Sequence, residues 1–200
     1  MNFPKVLKPL GLLPAVALLA GCVSIGGGGE VPDQLLTLTA TSSAPAGASA
    51  SGDMASALAV SEPAVPQYLN VTRVPVKVSG SAIAYLQDAV WVEKPSRLFQ
   101  RVLSETIRAG GDRLVVGGDE LEYAGQTQLG GELTAMEYDP SRSAVVVRYD
   151  AVLRLSDGTV RTQRFEAEQT GVLPDALSVA PALNRAANDV AAQVAEWVGQ

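Results

Sequence analysis

The stretch Ser143-Ala144-Val145-Val146-Val147-Arg148-Tyr149-Asp150-Ala151-Val152-Leu153-Arg154-Leu155-Ser156-Asp157-Gly158-Thr159-Val160-Arg161-Thr162-Gln163-Arg164-Phe165-Glu166-Ala167-Glu168-Gln169 decides the fold. Val145, Val147, Tyr149, Ala151, Leu153 and Leu155 alternate with residues that include Arg148, Asp150 and Arg154. A period of two places the apolar set on one face of a strand. Ser156-Asp157-Gly158-Thr159 turns the chain back into a second strand, Val160 to Gln169. Charge selects the register. A two-residue Asp-Gly turn would set Arg154 opposite Arg161 and Asp150 opposite Phe165. A three-residue loop with Gly158 left-handed sets Arg148 against Glu166, Asp150 against Arg164 and Tyr149 against Phe165. Opposite charges across a strand pair contribute roughly 0.2–1 kcal/mol each, and like charges cost a similar amount. The bulged hairpin is therefore expected.

Working outward, Ser143 is preceded by the turn Asp139-Pro140-Ser141 and by a strand from Leu129 to Met136, with Leu129, Leu133 and Ala135 on one face. Arg113 to Val116 is a short apolar strand. Leu98, Phe99, Val102, Leu103, Thr106 and Ile107 recur at helical spacing, with Arg97, Gln100, Arg101, Glu105 and Arg108 facing out. Pro95 suits the first turn of that helix, and Gly110-Gly111 ends it. Tyr68 to Val78 and Ala82 to Glu93 read as extended. Pro75 cannot donate to a ladder, so an edge or a bulge is expected there. Leu183, Ala187, Val190, Val194 and Trp197 mark a last helix, about Val179 to Val198. The order predicts an α+β fold: a mainly antiparallel sheet with two amphipathic helices on one face.

The chain has 200 residues, 47% of them apolar and 18% charged, with a formal charge of −6. It contains no His and a single Cys. That removes Ser-His-Asp and Cys-His catalysis, His-containing zinc sites, intrachain disulfides and Cys metal clusters. The acidic balance argues against nucleic-acid binding. Lys5 and Lys8 precede an apolar run, Leu10 to Ala20, which is shorter than the roughly 20 residues of a membrane-spanning helix. The run ends in Leu19-Ala20-Gly21-Cys22, which resembles the bacterial lipoprotein signal. Residues 1–21 are read as that signal, with cleavage between Gly21 and Cys22 and a diacylglycerol on the Cys22 thiol. Removing Lys5 and Lys8 takes the charge from −6 to −8. An acidic chain is repelled by anionic lipid, so acyl chains must supply the attachment. Val23 stands where an enteric inner-membrane lipoprotein would often carry Asp, which points to the outer membrane, facing the periplasm. Residues 22–33, with Gly26-Gly27-Gly28-Gly29, form a flexible tether to the domain at 34–200. Gln34 to Thr39 is a short strand. The Ala/Ser/Gly-rich insert at about 41–62 is expected to be mobile, with a short helix at Met54 to Val60 the one ordered element in view.

Chemistry-bearing groupings are few. Gly117-Gly118-Asp119-Glu120-Leu121-Glu122 gathers three carboxylates, read either as a Ca²⁺ loop, as an acid/base pair or as a solvated loop; the spacing is not that of an EF-hand. Gly130-Gly131 lies within a strand, which argues against a phosphate cradle. Trp197 is assigned to the core, and Trp91 is open between core and interface. No catalytic residue, metal ligand or cofactor is identified.

From Leu69 onward the chain resembles the ABC-type transport auxiliary lipoproteins, the group that includes the paraquat-inducible lipoprotein. The resemblance is carried by Val71 to Val78, Ala89-Val90-Trp91-Val92-Glu93-Lys94-Pro95 into Leu98 to Leu103, Gly131 to Tyr138, Ser143 to Leu155, Phe165 and Ala195-Glu196-Trp197-Val198. It implies a non-enzymatic periplasmic lipoprotein. Its partners would be an MCE-domain protein and an inner-membrane ABC permease and ATPase, moving lipids or other hydrophobic compounds between membranes. The membrane is a partner through the lipid anchor, and a homo-oligomer is a further candidate assembly. Pro75, Tyr85 and Trp91 are the candidate docking residues. The competing expectation is an outer-membrane lipoprotein that regulates a cell-wall synthase. A hydrolase built on Asp119 or Glu122 is a third.

Overall fold

The structure, a computed structural model, describes residues 34–53, 57–111, 114–117 and 127–199. The signal and tether readings at 1–33, with Gly21 and Cys22, and the carboxylates Asp119, Glu120 and Glu122 lie outside those residues. Among the described residues, two α-helices and seven strands form an α+β fold around one mixed sheet.

Three long strands make its body: β5 (Thr127–Asp139), β6 (Ala144–Arg154) and β7 (Val160–Thr170), each antiparallel to the next. Arg148 pairs with Glu166, Tyr149 with Phe165 and Asp150 with Arg164, which is the register charge selects. Leu155 N donates to Thr159 O at 2.8 Å, Gly158 N donates to Leu155 O at 3.0 Å, and Gly158 is left-handed at φ 87°. The bulged hairpin is present.

Along its other side β5 meets two partners in succession. β1 (Leu58–Val60) runs parallel to its first residues, and β2 (Arg73–Ser79) lies parallel near its end, at Val76 opposite Tyr138. β4 (Val115–Gly117) extends the sheet beyond β1, and β3 (Ala82–Val90) extends it antiparallel beyond β2. Pro75 falls where the β2–β3 register breaks, so the bulge expected for it is found.

Helix α1 (Pro95–Ala109) buries Leu98, Phe99, Val102, Leu103, Thr106 and Ile107, the stripe its spacing predicts. Helix α2 (Ala176–Val198) begins three residues before the expected start because the Asp175 carboxylate accepts from Ser178 N at 2.8 Å and caps it. Phe99 of α1 packs edge-on against Tyr149, and Trp197 of α2 packs edge-on against Phe165. Tyr149 and Phe165 are cross-strand partners and share a face, so both helices cover the same side of the sheet.

Two expectations change. The segment read as mobile, with a short helix at 54–60, contains a strand: Ala57, Leu58, Ala59 and Val60 are all buried, and β1 is hydrogen-bonded on both sides. A fully buried Leu or Val contributes about 1.5–3 kcal/mol. That is comparable to the roughly 1–2 kcal/mol of backbone ordering per residue, so two such side chains and a doubly paired backbone order this short run. The second change concerns Ala135. A bulge at Thr134 lies between the pairs Leu133–Tyr149 and Ala135–Arg148. The extra residue switches the core face from Leu129 and Leu133 to Met136 and Tyr138. Ala135 and Glu137 are thereby turned to the sheet's outer side, opposite Arg148 and Val146.

Gly131 sits at φ 136°, where an added Cβ would lie 2.0 Å from the Asp150 carbonyl oxygen, whereas Gly158 has open space around it. Gly131→Ala is expected to cost at least about 2 kcal/mol through strain and strand displacement, against about 1 kcal/mol for Gly158→Ala. Denaturant unfolding of the two variants checks the contrast, and equal costs would refute the close approach.

Candidate functional site

The three docking residues proposed from sequence are not a surface cluster. Trp91 is 1% exposed and belongs to the core, and Pro75 is buried within β2. Tyr85 is half-buried, with the Arg73 guanidinium 4.9 Å from its ring centroid and its hydroxyl donating to Tyr68 O at 3.2 Å. Trp91 is claimed by backbone on both sides. Its N–H donates to Thr72 O at 2.7 Å, while Leu36 N donates to Val90 O at 2.7 Å and Val92 N to Leu36 O at 2.8 Å. Sequence alone leaves Trp91 open between core and interface; the flanking partners, distant in sequence, make it core.

Those contacts define where the N-terminal segment enters the folded body. Leu36 pairs beside Trp91, and Leu38 is buried. Thr39 N then donates to Asn184 Oδ1 at 2.8 Å. Asn188 receives Thr41 N at 2.7 Å and the Thr41 hydroxyl at 3.0 Å on its Oδ1. Its Nδ2 donates to Thr39 O at 2.9 Å and to Asn184 O at 2.8 Å. The amide's two acceptor and two donor positions are all used, and the residue is 6% exposed. Sequence reading passed over both asparagines. Their one signal was a polar, weakly helix-forming residue recurring at a spacing of four beside the apolar stripe.

The outer side of the sheet is charged and cross-linked. Arg164 forks onto Asp150 with two hydrogen bonds of 2.6 Å, Arg148 pairs with Glu166 and Arg142 pairs with Glu168. The Arg164 guanidinium holds the Asp150 carboxyl below its usual range. Asp139, beside the turn, is lowered by the Ser141 hydroxyl and by backbone N–H groups. Glu137, turned outward by the β5 bulge, is 6% exposed. Burial raises its pKa; the Tyr68 hydroxyl, Lys77 and Arg148 oppose that rise, and Asp139 adds to it. Tyr68 comes from a 3-10 turn at Gln67–Leu69 and donates to Thr134 O at 2.8 Å. A single phenolic proton serves either that carbonyl or the Glu137 carboxylate, not both. Burial also raises the Tyr68 hydroxyl, with Glu137 as the next cause.

A groove of about 250 Å³ opens between β7 and α2, lined by Gln163, Phe165, Gln193, Glu196 and Trp197. Arg161 stands 4.9 Å from the Trp197 ring centroid. Its floor is aromatic and its rim polar. Among the described residues no group of three or more His, Cys, Asp or Glu is placed to hold a metal ion. No described helix is long and apolar enough to cross a membrane.

A family model described as the ABC-type transport auxiliary lipoprotein component matches residues 36–195. Among solved structures, a Xanthomonas campestris protein of the DUF330 family superposes with a TM-score of 0.63 at 18% identity, over 71% of this chain and 83% of its own. A second, an uncharacterised protein, superposes with a TM-score of 0.59 at 17% identity, over 72% of this chain and 92% of its own. At such identities the likeness is one of fold. No curated protein matches the chain.

Asn188→Ala is expected to cost about 1–3 kcal/mol by removing its part-buried hydrogen bonds to Thr39, Thr41 and the Asn184 carbonyl. It should also speed amide exchange at Thr39 and Thr41; unchanged exchange there would show that Asn188 does not hold the segment. For Glu137 the folded pKa lies above its ordinary 4.5, so the ionised carboxylate costs stability at neutral pH. That cost fades as pH falls through the raised value toward 4.5. Glu137→Gln is therefore expected to gain on the wild type at neutral pH and to lose that advantage below the ordinary value. Paired pH–stability curves check this, and a variant less stable at neutral pH would mean that Tyr68, Lys77 and Arg148 outweigh burial.

Proposed function

The chain belongs to the ABC-type transport auxiliary lipoprotein family, and from that membership we propose that it is the non-enzymatic docking subunit of a transporter that carries lipids or other hydrophobic compounds between membranes. Cys22 is acylated and holds the protein at the outer membrane. Val23 to Asp33 form an 11-residue tether that spans at most about 40 Å when fully extended. The folded body reaches inward on it and engages an MCE-domain protein of a complex that also holds an ABC permease and ATPase.

The observation that carries this reading is the family match, which begins at Leu36, where the chain joins the sheet. The attachment beyond that point suits a load-bearing tether. Tension on residue 34 is passed to Trp91 through backbone hydrogen bonds and to α2 through Asn184 and Asn188. Both sets of contacts anchor in the core rather than in a loop. The chemistry also favours an adaptor over an enzyme. The sequence has no His and a single Cys, and among the described residues the carboxyl with the raised pKa is Glu137, which is buried beside Tyr68.

Affinity isolation of the full chain from native-host membranes tests the reading. Co-recovery of an MCE-domain protein with a permease or ATPase subunit is expected, together with loss of palmitate labelling and of membrane retention in Cys22→Ser. Recovery of cell-wall synthases instead, or an unlabelled Cys22, would overturn it.

A further inference from the structure

Four exposed apolar side chains gather at one end of the sheet. Single exposed apolar residues are ordinary, but several in one place mark a contact surface. β2 pairs Val76 with Tyr138, one residue before β5 ends, so it runs on past β5 through Val78 and Ser79 before β3 returns at Ala82 and Ile83. The link from β7 to α2 lies at the same end. Val172 N donates to Ser143 O at 2.9 Å, and the Tyr138 hydroxyl donates to Val172 O at 3.0 Å. Val78 and Ile83 of the β2–β3 tip, Leu173 of the link and Leu177 in the first turn of α2 are all exposed, Leu177 by 82%. Among the described residues the other exposed large apolar side chains are Leu35, Val92 and Val160. Val160 stands at the opposite end of the sheet, paired with Arg154.

Charge and chain direction say what this end meets. In a chain of net charge −6, Pro75 to Leu86 carries one charge, Lys77, and Thr170 to Ser178 carries one, Asp175. The Asp175 carboxylate accepts from Ser178 N and the Ser178 hydroxyl, the Asp139 carboxylate accepts from Ser141 N and the Ser141 hydroxyl, and Glu168 is taken by Arg142. These three carboxylates are therefore engaged within the protein, while Lys77 and Arg142 supply donors of the kind that phosphate headgroups accept. The N-terminal segment also enters from this end. At Trp91, whose N–H bonds Thr72 O, the chain is running away from the β2–β3 tip, and Leu36 bridges Trp91 in parallel. Thr39 and Thr41 then meet Asn184 and Asn188, in that order away from the start of α2. Exposed Leu35 thus lies on the tip side of Leu36.

We propose that this end is a lipid-contacting base: Val78, Ile83, Leu173 and Leu177 seat the folded body on the bilayer surface from which its N-terminal segment arrives. The proposal rests on the reading of Cys22 as acylated. The four side chains enter the boundary between headgroups and acyl chains, as the apolar face of an interfacial helix does. The anchor supplies lasting attachment, and the base supplies orientation, which a body held by a glycine-rich tether alone would lack. The strands then stand on the membrane. β6 is 11 residues long, at about 3.4 Å each, so the Asp157-Gly158 turn and the end of α2 stand roughly 35 Å inward. The seated body thus reaches toward its partner by its own length and turns the Phe165–Trp197 groove away from the lipid.

The test uses the full chain, purified from membranes and reconstituted on vesicles of phosphatidylethanolamine and phosphatidylglycerol that carry a nitroxide-labelled lipid. With Cys22 acylated, Ser81→Cys or Val160→Cys provides a lone thiol for a fluorescent probe. The probe at Ser81, on the tip, should lose its fluorescence to the nitroxide, and the probe at Val160 should keep it. Adding Val78→Glu, Leu173→Glu and Leu177→Glu to Ser81→Cys should restore the signal, with the protein still floating on the vesicles and its melting temperature unchanged. Equal signals at Ser81 and Val160, or quenching that survives the three glutamates, would overturn the base while leaving the anchor standing. Should the glutamate variant fail to fold, the two probes decide alone. Mass spectrometry of Cys22 tests the anchor separately. If that thiol is bare, flotation that the glutamates abolish keeps the base and removes the anchor; flotation that they spare, or none at all, removes both.

Discussion

The close approach of β5 to β6 around Tyr149 is the constraint on which the rest of the molecule depends. The Tyr149 hydroxyl donates to Gly130 O at 2.6 Å, and its ring meets Phe99 at 5.2 Å between centroids. One residue on, Gly131 leaves no room for a side chain against the Asp150 carbonyl. Burial raises the pKa of the Tyr149 hydroxyl, so it stays a neutral donor across the physiological range. A polar tip satisfied by backbone lets a large aromatic fill the middle of the core without an orphaned group. Gly131 is there to admit the neighbouring strand.

From that centre the two sides of the sheet divide their roles. The helix side is apolar and holds α1 and α2 through Phe99 and Trp197. The other side carries Arg–carboxylate pairs: Arg148–Glu166 and Arg164–Asp150 lie directly across β6 and β7, and Arg142, in the turn before β6, reaches Glu168. Such exposed pairs contribute little to stability singly. Their use is to fix register and to suppress alternative pairings.

Several features were legible because they rest on local chemistry. The hairpin register followed from the placement of Arg148, Asp150, Arg164 and Glu166 and from one glycine able to adopt a left-handed conformation. Helix α1 followed from its apolar stripe, its N-terminal Pro95 and its closing glycines. The family resemblance rested on the order of these same elements, and the family match bears it out. The burial of Trp91 and Pro75 was not legible, since each depends on Leu36, Thr72 or β5, which are remote in sequence or hidden by a bulge. Nor was β1, whose run of Ala57 to Val60 is too short to show a period.

Sequence by itself determined the α+β class, the hairpin and both helices, because propensity, period and charge act between near neighbours. Tertiary structure alone decided that Leu58–Val60 lies inside the sheet, that Thr134 turns Glu137 to the outer side, and that Asn184 and Asn188 hold the N-terminal segment. Each of those outcomes is settled by which backbone groups find partners far along the chain, and a linear pattern does not encode that pairing.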